Sequence, residues 1–282
     1  MDTDSTGTLY VVGTPIGNLD DLSPRARRIL DAADLIAAED TRRTRGLLSS
    51  IEVNNRLVAY HEHNEAQRAP ALIARLRRGE SIALVSDAGS PLLSDPGLIL
   101  VRAAREASIP VIAVPGPSAL TAGLSVAGLP TDRFVFEGFL PRRAGPRRSR
   151  LSLLANEART LVLYESVHRI SDMLAALEEH LGSDRRAVIC RELSKVHEGV
   201  YEGTLAELRA RLGADIVLKG EFVVLVEGEA DPLSLGDSEI ARVFDLLVEA
   251  LPPNEAVALA AKITGASRNR VYSITRGVTG GE

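Results

Sequence analysis

The sequence predicts an α/β protein built as two α/β domains, and three observations carry that expectation. Short apolar runs alternate with segments of helical period through the first half, the pattern of a parallel sheet flanked by helices. Near residue 130 the texture changes, and glycine, proline and arginine collect. The 282-residue chain is also long enough for two domains of ordinary size. The expected division is residues 1–130 and 131–235 as the α/β domains, with residues 236–282 as a helical C-terminal extension.

The apolar run Leu9 to Val12 reads as a buried strand. Ser23-Pro24 then opens a helix, with an N-cap followed by proline at the first helical position. Further strands are expected at Leu35–Ala38, Arg56–Tyr60, Ser81–Val85 and Pro110–Val114. Gly79 reads as a helix stop, and Pro70 interrupts the helical pattern before it. Asp95-Pro96 repeats the cap-plus-proline device. The segment "AGLPTDRFVFEGFLPRRAGPRR" reads as a link between domains. Beyond it come strand-like runs at Thr160–Tyr164, Ala187–Arg191, Gly199–Gly203 and Phe222–Val226, with the Gly199 and Phe222 runs able to pair in an antiparallel or mixed sheet. From Asp237 the tail reads as helical, broken at Pro252-Pro253 and restarted by Asn254 as a cap.

Hydrophobic residues make up 45% and charged residues 25%, the balance of a globular chain rather than a disordered one. No apolar run approaches a membrane span, and the start "MDTDSTG" is acidic and polar, unlike a secretory leader. Cys190 is the single cysteine, which rules out a disulfide framework and a thiolate metal cluster. A cytoplasmic protein is expected. The net charge of −5 argues against broad, nonspecific adhesion to nucleic acid. Yet Arg142, Arg143, Arg147, Arg148 and Arg150 fall within nine residues that hold no acid.

Three turns at strand ends stand out. "GTPIGN" carries Gly13 and Gly17, but it is neither G-x-G-x-x-G nor a Walker loop, because no Gly-Lys-Ser/Thr follows. "LVSDAGSPLLSDPG" is longer than an ordinary αβ turn of roughly two to six residues, and open α/β sheets bind ligands at such strand ends. "VPGPSALTAGLS" brings Pro115-Gly116 and Ser118 to a helix start. The three turns are expected to converge on one crevice and to offer it backbone N–H groups. Glu39, Asp40 and Arg42 end the second strand; His61, Glu62, His63 and Asn64 end the third. His-x-His beside Glu invites a metal, but no cysteine or third histidine lies close, so a polar rim that contacts substrate is favoured and no metal is expected. In the second half, Tyr164, Glu165, His168 and Arg169 follow one strand, and Arg191, Glu192 and Lys195 another. For Glu192, an ion pair with Arg169 or Lys195 weighs the same as a functional role. Lys219, Gly220 and Glu221 stand at the entrance to the last strand.

Taken in order, "GTPIGNLDDLSPRA", "AAEDTRRT", "HEHNE", "LVSDAGSPLLSDPG", "PGPSA", "FEGFLPRR", "YESVHR", "RELSKVHE" and "KGEFVVLVEG" resemble the tetrapyrrole methylase superfamily from about Thr8 to Tyr272. More closely, they resemble its members that methylate the 2′-oxygen of a cytidine in 16S rRNA. The resemblance implies two α/β domains of the tetrapyrrole methylase type with S-adenosyl-L-methionine in the cleft between them. It implies cofactor contacts at Pro15, Asp87, Gly89, Ser90, Leu93, Ser118, Ala119, Tyr164 and Phe222, with Ser90 at the acidic position of the superfamily's Gly-Asp-Pro motif. It further implies 16S rRNA in the small ribosomal subunit as partner, no membrane, and a homodimer. Candidates for the proton contact to a ribose hydroxyl are Glu39, Asp40, His61 and Glu192. The five arginines would hold RNA phosphate. Two rivals are a C-methyltransferase of tetrapyrrole synthesis, with the same fold and cofactor, and a non-catalytic ribosome-assembly factor, which the three glycine turns disfavour.

Overall fold

The computed structural model describes residues 6–230 and 237–275. Residues 1–5 of the acidic start and the expected boundary at 235/236 lie outside the described residues.

The first sheet contains β1 (Leu9–Val12), β2 (Leu35–Ala38), β3 (Leu57–Ala59), β4 (Ile82–Val85) and β5 (Val111–Val114) in the order β3-β2-β4-β1-β5. Every pairing is parallel. Each connection carries a helix: α1 (Pro24–Ala32), α2 (Thr41–Ser50), α3 (Glu65–Arg77) and α4 (Leu98–Glu106). All residues of β2 and β4 are buried, because both faces of a parallel sheet are covered. Alternate side chains serve the two faces: Leu35, Ala37, Ile82 and Leu84 meet Leu72 and Leu76 of α3 and Leu100 of α4. Ile36, Ala38, Ala83 and Val85 meet Ala26 and Leu30 of α1 and Leu48 of α2.

Ser23 caps α1, its hydroxyl accepting from the Ala26 amide at 3.0 Å, with Pro24 in the first turn. Pro70 lies inside α3 without ending it, and Gly79 follows the helix with φ +88°. Asp95 does not cap α4, which begins at Leu98 after Gly97. The first amides of that helix find partners elsewhere: Glu65 Oε2 accepts from Gly97 N at 3.2 Å, and the Tyr60 hydroxyl accepts from Leu100 N at 3.1 Å. Asp95 is thereby free to face inward.

The second sheet contains β6 (Phe134–Phe139), β7 (Thr160–Ser166), β8 (Arg186–Arg191), β9 (Gly199–Thr204) and β10 (Glu221–Val226) in the order β6-β7-β10-β8-β9. β6 and β7 are parallel, and the other pairs are antiparallel. The Gly199 and Phe222 runs are therefore not neighbours, because β8 lies between them. The segment expected to be a plain link contains β6, an edge strand mostly outside the core, and the start of α6 (Ala144–Leu154). That helix, α7 (Ile170–Leu181) and α8 (Leu205–Arg211) cover one face of the second sheet. Its other face is covered by α5 (Ala119–Val126), which follows β5 of the first sheet. Leu120 and Leu124 of α5 pack on Val162, Val188, Val223 and Leu225. Ile16 and Leu93, from two turns of the first sheet, join the same cluster.

The C-terminal helices α9 (Asp237–Val248), α10 (Pro253–Thr264) and α11 (Arg268–Thr275) pack around Ile240, Phe244, Val257, Ala260 and Val271. Pro252, not Asn254, holds the N-cap position of α10; Asn254 lies in the helix and accepts a 2.7 Å hydrogen bond from the Tyr272 hydroxyl. Among the described residues no helix is long and apolar enough to cross a membrane.

Candidate active site

The turns after β1, β4 and β5 do converge, but their backbones are spent largely on one another. Thr14 and Gly89 form a two-way bridge, Thr14 N to Gly89 O at 2.9 Å and Gly89 N to Thr14 O at 3.0 Å. Gly13 and Gly116 touch so closely that a Cβ on Gly116 would lie 2.7 Å from the Gly13 carbonyl oxygen. The amides of Gly13 and Gly89 are therefore not free for a ligand, being bonded to the Val114 and Thr14 carbonyls, and these glycines serve to bring the turns together. Gly89 still faces the crevice. Its φ of +78° suits glycine, and a Cβ there would stand 3.3 Å from the Ile16 side chain.

Between the turns and the second sheet lies a cavity of about 350 Å³. Eight of the nine expected cofactor contacts line it: Asp87, Gly89, Ser90, Leu93, Ser118, Ala119, Tyr164 and Phe222. Pro15 does not, and its neighbour Ile16 takes that place. The second sheet supplies an aromatic wall, with Tyr164 edge-on to Phe136 at 5.0 Å and to Phe139 at 5.8 Å. Burial pushes the Tyr164 phenol pKa up, and its hydroxyl faces the Leu120 amide and the Ser118 side chain at the start of α5.

The opposite wall is acidic. Glu39 follows β2 and Asp87 follows β4; Glu39 Oε2 accepts from the Asp87 amide at 3.2 Å, and Asp87 Oδ1 from the Asp40 amide at 2.9 Å. Burial raises the Glu39 pKa, and the Asp87 charge adds to the rise. Asp95, expected only as a helix cap, lines the same cavity. Burial, followed by the charge on Glu39, lifts its carboxyl to about 6. Among the described residues, Arg43 is the one basic side chain of the lining, its Nε 3.5 Å from Asp87 Oδ2. Such a cavity repels phosphate and suits a ligand with a cationic centre and a flat apolar part.

Of the four candidates for proton contact, only Glu39 reaches the cavity. Asp40 instead caps α2, accepting from the Arg42 amide at 2.8 Å, and its bonds to Arg42 hold its carboxyl near 2. Glu192 is tied to Lys195 at 2.7 Å and to the Glu221 amide at 3.0 Å. Burial works to raise its pKa, but these two partners hold it low. Arg169 pairs with Glu165 instead, at 3.3 Å. His61 ends β3 with Nε2 3.1 Å from Asn64 Nδ2 and a buried Nδ1 that has no partner. Among the described residues no group of three or more metal-ligating side chains is placed to hold an ion.

The arginine cluster is helical where a loop was expected. Arg147, Arg148 and Arg150 lie on α6, and Arg143 holds its N-cap position without a capping side-chain bond. Arg150 is committed to Glu137 through two bonds of 2.7 and 2.6 Å. Among the described residues, Arg142, Arg143, Arg147 and Arg148 have no carboxylate partner. None of the five lines the cavity, although Phe139, just before them, does.

Residues 8–209 match the family described as Tetrapyrrole (Corrin/Porphyrin) Methylases. The chain belongs to the tetrapyrrole methylase family. Residues 235–274 match a second family, the RsmI C-terminal HTH domain. Among relatives of this tetrapyrrole methylase is a Xylella fastidiosa (strain Temecula1) protein named Ribosomal RNA small subunit methyltransferase I. It is 55% identical over 267 residues, which cover 94% of this chain and 98% of the relative. A Pseudomonas aeruginosa protein of the same name is 51% identical over 272 residues, covering 95% and 96%. Of solved structures, uroporphyrin-III C-methyl transferase from Thermus thermophilus, complexed with S-adenyl homocysteine, matches with a TM-score of 0.54 at 21% identity, over 79% of this chain and 98% of that one. At that identity the likeness shows the shared tetrapyrrole methylase fold alone.

Proposed function

We propose that this tetrapyrrole methylase uses S-adenosyl-L-methionine to methylate the 2′-oxygen of a cytidine in 16S rRNA of the small ribosomal subunit. One observation carries the reading: identities of 55% and 51%, along nearly the whole chain, to proteins named Ribosomal RNA small subunit methyltransferase I. The cavity is compatible with it. S-adenosyl-L-methionine supplies a methyl group on a cationic sulfur, and the acidic wall of Glu39, Asp87 and Asp95 complements that charge. Leu93, Tyr164, Phe222 and Phe139 offer the apolar face that a nucleoside base needs. Glu39 is the candidate to take up the hydroxyl proton, since it is the carboxylate of the four that lines the cavity and its raised pKa suits a base.

The RNA enters, in this reading, past the start of α6. Arg142, Arg143, Arg147 and Arg148 hold phosphate, and the amides of Ala144 and Gly145 at the start of the helix add to them. The division at residue 130 separates the two sheets, with α5 crossing to the second, and residues 236–282 form the extension. The enzyme works in the cytoplasm, where the ribosome is, and as a homodimer.

The test is to incubate the protein with methyl-labelled S-adenosylmethionine and small subunits that lack the modification, then map the label by nuclease digestion. Label on the ribose of a single cytidine is the expected result. Label on a base, on an added tetrapyrrole alone, or nowhere would overturn the reading.

A further inference from the structure

Three of the cavity's carboxylates meet on one wall from two stretches of chain, the turn after β2 and the long connection between β4 and α4. Glu39 follows β2, Asp87 follows β4, and Asp95 lies in the turn before α4. Glu39 is hydrogen-bonded to the Asp87 backbone, and Asp95 to Ser86. The basic side chain of the lining, Arg43, is 67% exposed; it pairs with Asp87, and its charge also acts on Glu39. Across the cavity stands Glu165 of β7, 2% exposed, whose Oε2 has no hydrogen-bond partner and only the Arg169 guanidinium at 3.3 Å. Tyr164 of β7, Cys190 of β8 and Glu221 of β10 complete the titratable groups of the lining, and His61 faces Glu39 from the end of β3.

A half-buried wall of three carboxylates, with one largely exposed guanidinium on it and a buried Glu165 opposite whose ionic partner is Arg169, carries more negative than positive charge. We propose that Glu39, Asp87 and Asp95 form a charge-selective wall that holds the cationic methyl donor in preference to its neutral thioether product. The proposal rests on the cofactor reading given above. The donor and product share their adenosine and amino-acid parts, so the charge on sulfur is the feature this wall can tell apart.

Proton exchange accompanies the selection. Without a cation, burial and the neighbouring carboxylates keep Asp95 protonated to a higher pH than a free side chain, about 6. A cationic sulfur favours the ionised carboxylate, so the proton passes from Asp95 to solvent as the donor enters. After methyl transfer the sulfur is neutral, the carboxylates again repel, the proton returns, and the product is held less firmly. The sign follows from linkage. Donor affinity rises with pH until Asp95 is ionised in the free protein, by at most about tenfold per pH unit for one linked proton. Product affinity changes much less over the same range.

Calorimetric titration of the full-length protein with S-adenosylmethionine and with S-adenosylhomocysteine tests this, at pH 5, 6 and 7 and in two buffers of different ionisation enthalpy. Expected results are proton release near pH 6 with the donor, markedly less with the product, and a donor-to-product affinity ratio that falls several-fold from pH 7 to pH 5. In Asp95→Asn, with folding checked by circular dichroism, both ligands bind and the ratio no longer depends on pH. The wild-type proton count stands even where the variant fails to fold. Equal proton release with both ligands, or an unchanged pH-dependent ratio in folded Asp95→Asn, overturns the charge-selective wall alone. Failure of the wild-type protein to bind either ligand overturns the cofactor reading and this inference with it.

Discussion

Gly13 and Gly116 lie backbone against backbone, one after β1 and the other after β5. A Cβ on Gly13 would stand 2.8 Å from the Gly116 Cα, and a Cβ on Gly116 would stand 2.7 Å from the Gly13 oxygen. The two turns sit at the ends of paired strands, and Gly13 N reaches the Val114 carbonyl at 3.0 Å. Any side chain at either position wedges the turns apart.

Gly116→Ala is therefore expected to act on the fold before it acts on the ligand. The neighbour it meets is backbone, which cannot swing aside, so a loss of about 1–3 kcal/mol is expected. Gly89→Ala differs. It forces a residue with a Cβ to φ +78° and pushes that Cβ toward Ile16 at the cavity wall. Denaturant melts with calorimetry on both variants check this: Gly116→Ala should show the larger drop in stability, and Gly89→Ala the larger loss of S-adenosylmethionine affinity relative to its stability change.

Asp95→Asn is expected to stabilise the protein at neutral pH. The folded-state carboxyl titrates near 6 against 3.8 for a free side chain, so between those values the folded protein holds a proton that the unfolded chain has lost. Stability from this group therefore falls as pH rises from about 4 to 6 and stays low above. A shift of this size corresponds to about 3 kcal/mol; the partial exposure of Asp95 screens it to about 1–2 kcal/mol. Urea unfolding of wild type and variant at pH 4 and pH 7 should show the gap at pH 7 only.

Glu39→Gln should lower turnover on small subunits by about a hundredfold, the scale of a missing general base. Asp40→Asn should change turnover little, because asparagine caps a helix as well as aspartate does and the Asp40 carboxylate is turned to Arg42. Single-turnover methylation assays on both variants separate the two acids. Equal losses would remove Glu39 from its assigned role.

Reversing Arg147 and Arg148 to glutamate should abolish RNA methylation and leave cofactor affinity intact, since neither lines the cavity. The salt slope of RNA binding should fall by about one for every phosphate that the variant no longer holds. Arg150→Ala should barely move that slope, because its guanidinium is already held by Glu137. RNA binding measured across a salt series decides. A wild-type slope in the double reversal would make this face of α6 an ordinary solvated surface.

The first sheet was legible almost residue by residue. Its inner strands β2 and β4 are buried on both faces, so each shows as an unbroken apolar run, Leu35–Ala38 and Ile82–Val85. The edge strand β6 was hidden, because "FVFEGF" is mostly outside the core and shifts register between Phe136 and Gly138. Three-dimensional partners account for the other misses. Asp95-Pro96 has the local look of a cap, and nothing near it in sequence reveals that Glu65 and Tyr60 already serve the start of α4. Asp40 and Glu192 look as functional as Glu39 until Arg42 and Lys195 are seen to hold them. The eight expected cofactor contacts that line the cavity were implied by the family resemblance, and most lie in turns at strand ends, where an open α/β sheet gathers side chains.

The order β6-β7-β10-β8-β9 puts the last strand in sequence at the centre of the second sheet. A ribosome making this chain therefore delivers β7 and β8 well before the strand that zips them together. Until residues 221–226 emerge, Val162 and Val188 have no common partner, and α5, made about a hundred residues earlier, has only part of the surface it covers. The first sheet has all its strands by Val114 and can condense at once. Synthesis thus imposes a sequence of events, with an early half and a late half. The late half spends its waiting time with apolar strand faces open to chaperones or to a neighbouring chain.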